Sequence, residues 1–215
     1  MIENFFGILK EMNVLIVDYG MGNIGSVRRV IEERGATPII TQYPEDIKKA
    51  NKIILPGVGA FPDGMFSLNK TGWVDVLRKA ILEDGKSIFG ICLGMQLLAT
   101  VSYEGHKTSG LDLIGGVVEP LKANAPDVRI PHVGWNEIEF HRNDPLIEGV
   151  AQGTDCYFVH SYHFIPKEDE YIVATTPYCG QFVSIVRKES VYGAQFHPEK
   201  SSKAGLRIIE NYLKI

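Results

Sequence analysis

Short apolar runs alternate with helix-like segments over the first hundred residues, and this alternation restricts the possible folds more than any other feature. Strands are predicted at 14–18, 38–41, 52–55 and 87–91, and helices at 23–34 (capped by Asn23), 44–50, 73–84 and 93–100. Short, continuously apolar runs are typical of strands buried on both faces. Strands separated by helices form a right-handed, doubly wound, mainly parallel sheet, so an α/β domain is predicted.

The second half of the chain has a different pattern. Strands are predicted at 117–121, 135–140, 156–161, 172–176, 183–187 and 191–195, and a closing helix at 202–213. Turn residues separate these runs, which predicts antiparallel strands that either extend the parallel sheet or pack beside it. No linker interrupts the pattern, so residues 13–215 are predicted to form one domain. Residues 1–12 are predicted to be an appended extension, with Met12 as an alternative start.

The composition excludes several classes of protein. The 215 residues carry a formal net charge of -4 and have no run of Lys and Arg, which argues against a nucleic-acid surface. No apolar stretch approaches the length of a membrane span, and the first residues lack the apolar region and cleavage site of a signal peptide. The three cysteines form no CxxC pair and are too few for a disulfide framework, so we expect a reducing, cytoplasmic location and no zinc site.

The pentapeptide Gly-Ile-Cys-Leu-Gly at 90–94 lies between a predicted strand and a predicted helix. A nucleophile elbow has this form and context, because glycines beside the nucleophile make room for a tight turn. The elbow would place the Cys92 sulfur at the carboxyl edge of the sheet and at a helix N-terminus, where the partial positive charge favours the thiolate. The pentapeptide is short, and a buried cysteine that only fills the core remains the alternative.

A nucleophilic cysteine needs a base, and the base needs a group that orients it. The segment Gln-Phe-His-Pro-Glu at 195–199 follows an apolar strand and supplies both. His197 and Glu199 are two positions apart, so in an extended segment their side chains point the same way and the carboxylate can reach the imidazole. Cys92, His197 and Glu199 are therefore the predicted catalytic residues.

The segments at 90–98 and 193–199 resemble those of the triad (class I) glutamine amidotransferase family. Four more, at 18–24, 56–61, 131–136 and 157–162, resemble one branch of it, the glutaminase subunits of imidazole glycerol phosphate synthases. The resemblance implies a flavodoxin-like doubly wound sheet extended by antiparallel strands, and hydrolysis of glutamine to glutamate and ammonia without a cofactor or metal. It also implies a heterodimer with a (β/α)8-barrel cyclase subunit, which uses the ammonia to make imidazole glycerol phosphate in histidine biosynthesis.

The same resemblance implies roles for individual residues. Cys92 would form a glutamyl thioester, His197 would transfer protons, and Glu199 would orient His197. The oxyanion would be met by backbone N–H groups of Leu93 and of the Val58–Gly59 loop. Substrate recognition would involve Gly59, Gln96, Glu104, His160, Ser161 and Tyr162. The partner interface would include His132, Trp135, Asn136 and Lys200, with Lys200 forming a salt bridge between the subunits.

Three other functions remain open. A paralogous glutaminase that feeds an amidine-forming enzyme of surface-polysaccharide synthesis would share nearly every motif. An unrelated cysteine hydrolase of amides or peptides is disfavoured by the segment at 157–162. A catalytically silent binding subunit is disfavoured by the intact Cys92, His197 and Glu199. Cys156 and Cys179 are interpreted as structural.

Overall fold

The computed structural model describes residues 12–126 and 128–215, so the predicted extension lies outside the described residues except for Met12. The first four strands are β1 (Asn13–Val17), β2 (Thr37–Thr41), β3 (Lys52–Gly57) and β4 (Ser87–Cys92). They pair in parallel in the order β2-β1-β3-β4. The predicted parallel half of the domain is thus confirmed.

Helices cover both faces of this sheet. They are α1 (Ile24–Glu33), α2 (Phe61–Lys70), α3 (Trp73–Leu82), α4 (Leu93–Leu97) and α5 (Ser202–Lys214). Alternate residues of β1 enter different cores: Val14 and Ile16 pack in the core that includes α1 and α5, whereas Leu15 and Val17 pack in the core of α2, α3 and α4. Side chains of a strand alternate between its faces, so this sheet is buried on both sides, as a doubly wound fold requires.

The later strands form an extension and a second sheet. They are β5 (Val101–Ser102), β6 (Thr108–Ser109), β7 (Gly116–Pro120), β8 (His132–Phe140), β9 (Thr154–His160), β10 (Tyr162–Pro166), β11 (Ile172–Thr176), β12 (Phe182–Lys188) and β13 (Val191–Ala194). In the described residues the main sheet has the order β2-β1-β3-β4-β13-β12-β11-β8-β9, and the small sheet β10-β7-β5-β6. The five neighbouring strands β2-β1-β3-β4-β13 follow the flavodoxin-like order 2-1-3-4-5, with β13 in the fifth position, as expected.

The last strand corrects one prediction. β13 belongs to the half predicted to be antiparallel, and it does pair antiparallel with β12, but it pairs parallel with β4. The physical reason is the tight β12–β13 hairpin, which turns the chain back into the direction of β4. β13 therefore delivers the residues that follow it to the sheet edge where β4 ends.

Several local predictions were also wrong. Helix α2 was not predicted because Pro62 and Gly64 lower its helix propensity, yet proline suits a first turn and Gly64 is packed by Leu93 and Leu97. The helix predicted at 93–100 stops at Leu97, and the segment Pro44–Lys49 is a 3-10 helix. Further 3-10 helices are Pro145–Ile147, Asp169–Tyr171 and Pro198–Lys200. Strands β5, β6 and β10 were not predicted: β5 and β6 have only two residues each, and β10 follows β9 after the single residue Ser161.

Strand registers bring three chain segments to one edge. Gly57 at the end of β3 pairs with Cys92 at the end of β4, and Ala194 at the end of β13 pairs with Ile91. Ligands of doubly wound sheets bind at this carboxyl edge. Among the helices of the described residues, none is long and apolar enough to cross a bilayer.

Candidate active site

Cys92 ends β4 and immediately precedes α4 in a strained turn. Its φ of +54° is in the left-handed region, which is uncommon for a residue with a side chain. The adjacent glycines are sterically required: a Cβ on Gly90 would lie 2.5 Å from the Gly94 carbonyl oxygen, and one on Gly94 would lie 1.8 Å from the Leu55 carbonyl oxygen. The segment therefore has the geometry of a nucleophile elbow.

The Cys92 side chain is buried at the base of a cleft. Its Sγ lies 3.8 Å from the Gln195 Nε2 and 3.9 Å from the Val159 carbonyl oxygen. The next residue, Leu93, begins α4, so backbone N–H groups lie beside the sulfur. Val58 and Gly59 line the same cleft, and Gly59 has a φ of +115° that favours glycine.

His197 and Glu199 form a buried pair behind the cysteine. The His197 Nδ1 is 2.9 Å from the Glu199 Oε1, and both side chains are almost inaccessible to solvent. The pairing was predicted, but from an extended segment, whereas Pro198–Lys200 is a 3-10 helix. The turn of this 3-10 helix, rather than the two-residue period of a strand, brings the Glu199 carboxylate to the His197 ring.

The backbone of His197 is fixed to strand β9. Its N–H donates to the Tyr157 carbonyl at 2.9 Å. The Ser201 hydroxyl donates to the His197 carbonyl at 2.7 Å and accepts from the Tyr157 N–H at 2.9 Å. His197 and Glu199 are therefore anchored to β9 of the antiparallel extension, while Cys92 belongs to the parallel half.

The surroundings of His197 favour its protonated form. Burial disfavours the imidazolium, but the interactions with Cys92 and Glu199 outweigh burial and raise the pKa of His197 to about 9. Its Nε2, opposite the nitrogen that binds Glu199, has no hydrogen bond of ordinary length to a described residue. Base–nucleophile contacts of free enzymes are often loose and tighten with substrate.

Two residues around this group were not predicted to contribute. Asn23, predicted as a helix cap, makes no cap hydrogen bond, and its Nδ2 donates to the Glu199 Oε1 at 3.3 Å. Gln195 accepts from the Gln96 Nε2 at 3.0 Å and directs its own amide nitrogen towards the Cys92 sulfur. Both residues lie in segments on which the family resemblance rests, and that resemblance is the feature of the sequence that could have indicated a role for them.

A cleft of about 270 Å³ brings the predicted residues together. Cys92, His197, Val58, Leu93 and all the predicted substrate contacts line it: Gly59, Gln96, Glu104, His160, Ser161 and Tyr162. The cleft suits a small metabolite, because it is slightly below the usual range for drug-sized ligands. Glu199 does not line the cleft and lies behind His197.

The polar residues of the cleft also support its walls. The Glu104 Oε2 accepts from the Phe61 N–H at 2.7 Å, at the start of α2, and burial raises the pKa of Glu104 despite this hydrogen bond. The Gln96 Nε2 donates to the Tyr162 carbonyl at 2.9 Å. The His160 Nδ1 lies 2.8 Å from the same carbonyl oxygen.

The residues predicted to face a partner differ in exposure. Trp135 is 53% exposed, whereas His132 is 3% exposed, so the His132 side chain points inward. Asn136 is half-buried, and the Lys200 Nζ lies 5.9 Å from the centroid of the Tyr157 ring.

In residues 12–126 and 128–215, no cluster of three or more His, Cys, Asp or Glu side chains could hold a metal ion. Burial raises the pKa of Cys156 to about 12, as expected of an inert core thiol.

Comparisons with known proteins agree with this geometry. Residues 15–215 match the family described as "Glutamine amidotransferase class-I". The chain is 43% identical over 199 residues to "Imidazole glycerol phosphate synthase subunit HisH" of Moorella thermoacetica, covering 93% of each chain. It is 43% identical over 201 residues to the "HisH 2" protein of Methanococcus maripaludis, covering 94% of this chain and 98% of the relative.

Solved structures support the fold. "Structure of PurLQS from Thermotoga maritima" superposes with a TM-score of 0.72 at 19% identity, covering 95% of this chain and 98% of the other. A second solved structure, described as "Crystal structure of glutamine amidotransferase", gives a TM-score of 0.73 at 19% identity, covering 93% of this chain and 97% of the other. At these identities the similarity establishes the architecture alone.

Proposed function

The chain belongs to the class-I glutamine amidotransferase family, and on that premise we propose that it is the glutaminase subunit of an imidazole glycerol phosphate synthase, with Cys92, His197 and Glu199 as its catalytic triad. One observation carries the assignment of the triad. A strained elbow cysteine and a buried His–Glu pair, which lie far apart in sequence, meet at one small cleft. This is the arrangement needed to cleave an amide by nucleophilic catalysis.

The first half of the reaction forms a thioester. The Cys92 thiolate attacks the side-chain amide carbon of glutamine, and the carbonyl π electrons move to oxygen. When the tetrahedral intermediate collapses, the C–N bond breaks and the imidazolium of His197 protonates the departing nitrogen, which leaves as ammonia. The raised pKa of His197 favours this step, because the proton is already on the ring.

The second half hydrolyses the thioester. Neutral His197 takes a proton from water, the resulting hydroxide attacks the acyl carbon, and glutamate leaves as the Cys92 thiolate reforms. In both halves, backbone N–H groups of Leu93 and of the Val58–Gly59 loop stabilise the oxyanion. Glu199 holds the ring in orientation and stabilises its charge, and the Asn23 amide holds Glu199.

The cleft contains groups that complement glutamine. The Glu104 carboxylate lines it and would pair with the substrate ammonium. Backbone N–H groups near Ser161 would meet the substrate carboxylate, while Gly59, Gln96, His160 and Tyr162 form the remaining walls. These contacts select an α-amino acid whose side-chain amide reaches Cys92.

The partner is a (β/α)8-barrel cyclase subunit that receives the ammonia. The relatives are named as a subunit of a synthase, and a subunit requires a partner. On β8 the apolar side chains of Val133 and Trp135 are 57% and 53% exposed, as expected of a surface that another protein covers. Trp135 lies 6.0 Å from the Tyr157 ring, which in turn lies beside Lys200.

The deciding experiment measures glutamate release from glutamine with and without the cyclase subunit and its nucleotide ligand, using Cys92→Ala as the control. We expect strong stimulation that depends on Cys92, while Cys92→Ala in the complex still makes product from added ammonia. Loss of both activities in Cys92→Ala would contradict a role confined to ammonia release. Glutaminase activity that ignores the cyclase would favour the paralogous amidination pathway. No release under any condition would contradict the proposal.

A further inference from the structure

His132 lies in the segment that resembles a partner-facing motif, but its side chain points away from that surface. Along β8 the neighbouring Val133 is exposed, whereas His132 is buried, because alternate residues of a strand face opposite sides. The His132 ring stacks on Tyr178, with centroids 3.9 Å apart, and on Phe158 at 5.0 Å. A buried ring packed in this way has a fixed orientation.

The polar atoms of His132 belong to a hydrogen-bond chain that reaches the glutamine cleft. The His160 Nδ1 lies 2.8 Å from the Tyr162 carbonyl oxygen. The His160 Nε2 lies 3.1 Å from the His132 Nδ1, and the His132 Nε2 lies 3.3 Å from the Asn136 Nδ2. His160 and Tyr162 both line the cleft beside Cys92.

The chemistry of the groups determines where the protons are. A carbonyl oxygen only accepts, so the His160 Nδ1 carries the hydrogen. Burial lowers the pKa of His132 to about 4 and of His160 to about 3, so both rings are neutral near pH 7 and each has one donor and one acceptor. The His160 Nε2 therefore accepts, the His132 Nδ1 donates to it, and the His132 Nε2 accepts.

The Asn136 end of the chain is fixed independently. Its Oδ1 accepts from the Glu137 N–H at 2.9 Å, and its Nδ2 also donates to the Pro177 carbonyl at 3.3 Å. These contacts identify which amide atom is the nitrogen, and that nitrogen can only donate to His132. Every donor in the chain therefore points inward, from Asn136 to the Tyr162 carbonyl.

We propose that His132 is a positioning residue of the glutamine cleft: it holds His160 as the Nδ1–H tautomer and thereby fixes the Tyr162 carbonyl and the wall that residues 160–162 form. This inference rests on the proposed function in naming glutamine as the ligand. Ser161 is the crossing point between β9 of the main sheet and β10 of the small sheet. The two donors on the Tyr162 carbonyl, from His160 and Gln96, hold this crossing in place.

Nitrogen-15 NMR of the full-length protein with labelled histidine rings tests the direction of the hydrogen bonds without an activity assay, because it reports the tautomer of each ring. We expect both His132 and His160 to be Nδ1–H tautomers near pH 7, assigned by the loss or shift of signals in His132→Phe. In that variant the His160 tautomer is expected to become mixed, because its Nε2 has lost its donor. An Nε2–H tautomer for either residue in the wild type would overturn the proposal.

Steady-state kinetics in the complex with the cyclase test the role. His132→Phe keeps a ring to stack but removes both hydrogen bonds, and we expect KM for glutamine to rise about tenfold with kcat nearly unchanged. His132→Asn keeps an amide N–H near the position of Nδ1, and we expect it to recover most of the loss. An unchanged KM in His132→Phe, or no recovery in His132→Asn, would overturn the role.

A matched control separates positioning from general loss of stability. His141 follows β8, outside the cleft, and its Nε2 is 2.7 Å from the Thr175 Oγ1. His141→Phe removes one part-buried hydrogen bond of an exposed histidine, so we expect slightly lower thermal stability with KM unchanged. A KM increase equal to that of His132→Phe would contradict the proposal. If the wild-type complex hydrolysed no glutamine, the proposed function would fail, whereas the tautomer measurement would still decide the hydrogen-bond chain.

Discussion

At the scale of single residues, the Glu199 carboxylate is the group that fixes the orientation of the His197 ring. It accepts from His197 and from Asn23 while almost wholly buried, and it leaves one oxygen without a partner in the described residues. A buried carboxylate is strongly stabilised by a neighbouring cation. The protonated state of His197 and the stability of the fold around it are therefore linked.

The pH dependence of stability follows from this link. The pKa of His197 is about 9 in the folded chain against an ordinary 6.5, so its contribution is fully present below pH 6.5 and is lost as pH rises through about 9. In Glu199→Gln the pKa of His197 should fall towards its ordinary value, and the loss of stability between these limits should shrink. Urea unfolding at a series of pH values measures this.

A surface carboxylate provides the control for that series. Glu168 is half exposed beside Lys167, so Glu168→Gln should leave the shape of the pH profile unchanged. Identical profiles for wild type and Glu199→Gln would contradict a contribution of Glu199 to the raised pKa of His197.

Cys92, His197 and Glu199 were identifiable as candidates because each lies in a local pattern of residue types whose chemistry is specific. Asn23 and Gln195 were not, because their contacts cross the fold: Asn23 meets Glu199 from 176 positions away, and Gln195 meets Cys92 from 103. An asparagine before a helix is usually a helix cap, so the sequence predicts that role for Asn23. Nothing in the neighbouring residues indicates that its amide donates to a distant carboxylate instead.

At the scale of elements, the close approach of α4 to β3 shapes the elbow. Gly94, in the first turn of α4, faces the Leu55 carbonyl so closely that no side chain fits between them. The elements could be predicted from their apolar periodicity, but this spacing could not, because it depends on how the packed elements meet. The same limit applies to α2. Its Gly64 lowers the helix propensity of the sequence, and only the packed structure shows that Leu93 and Leu97 lie against this glycine.

Two glycines in equivalent positions of two helices test this packing. Gly94→Ala should lower the free energy of unfolding by at least about 3 kcal/mol, because the new Cβ collides with backbone rather than with a movable side chain. Gly25 is the second residue of α1, is exposed, and has open space around it, so Gly25→Ala should raise stability by about 0.5–1 kcal/mol. Denaturant unfolding gives both values, and equal effects would contradict the argument.

At the scale of the whole molecule, β8 exposes Val133 and Trp135, and Val133 pairs with Val159, which lines the cleft beside Cys92. Trp135→Ala should raise the Kd for the cyclase subunit about tenfold or more, as expected of an aromatic anchor in an interface. Leu82 is similarly exposed but ends α3, before β4 begins, and so lies at the opposite edge of the sheet from Cys92. Titration calorimetry should show an unchanged Kd for Leu82→Ala, and equal losses would contradict the assignment of the surface.

The limits of the domain give a further prediction. β1 begins at Asn13, and the Met12 carbonyl accepts from the Thr37 N–H at 2.9 Å, so Met12 is already bonded to the neighbouring strand. A chain beginning at Met12 should keep its melting temperature and its glutaminase activity. Removal of residues 1–14 cuts into β1 and should destabilise the fold. A marked loss of activity in the chain that begins at Met12 would show that residues 1–11 contribute to the domain.

The position of β13 between β4 and β12 also has a consequence for the newly made protein. Cys92 leaves the ribosome about a hundred residues before His197, an interval of about 5–20 seconds at ordinary rates of translation. During that time the thiol has no base, because β13 inserts beside β4 only when nearly the whole chain exists. The Cys92 thiol therefore has no His197 beside it until β8, with its exposed Val133 and Trp135, has already been synthesised.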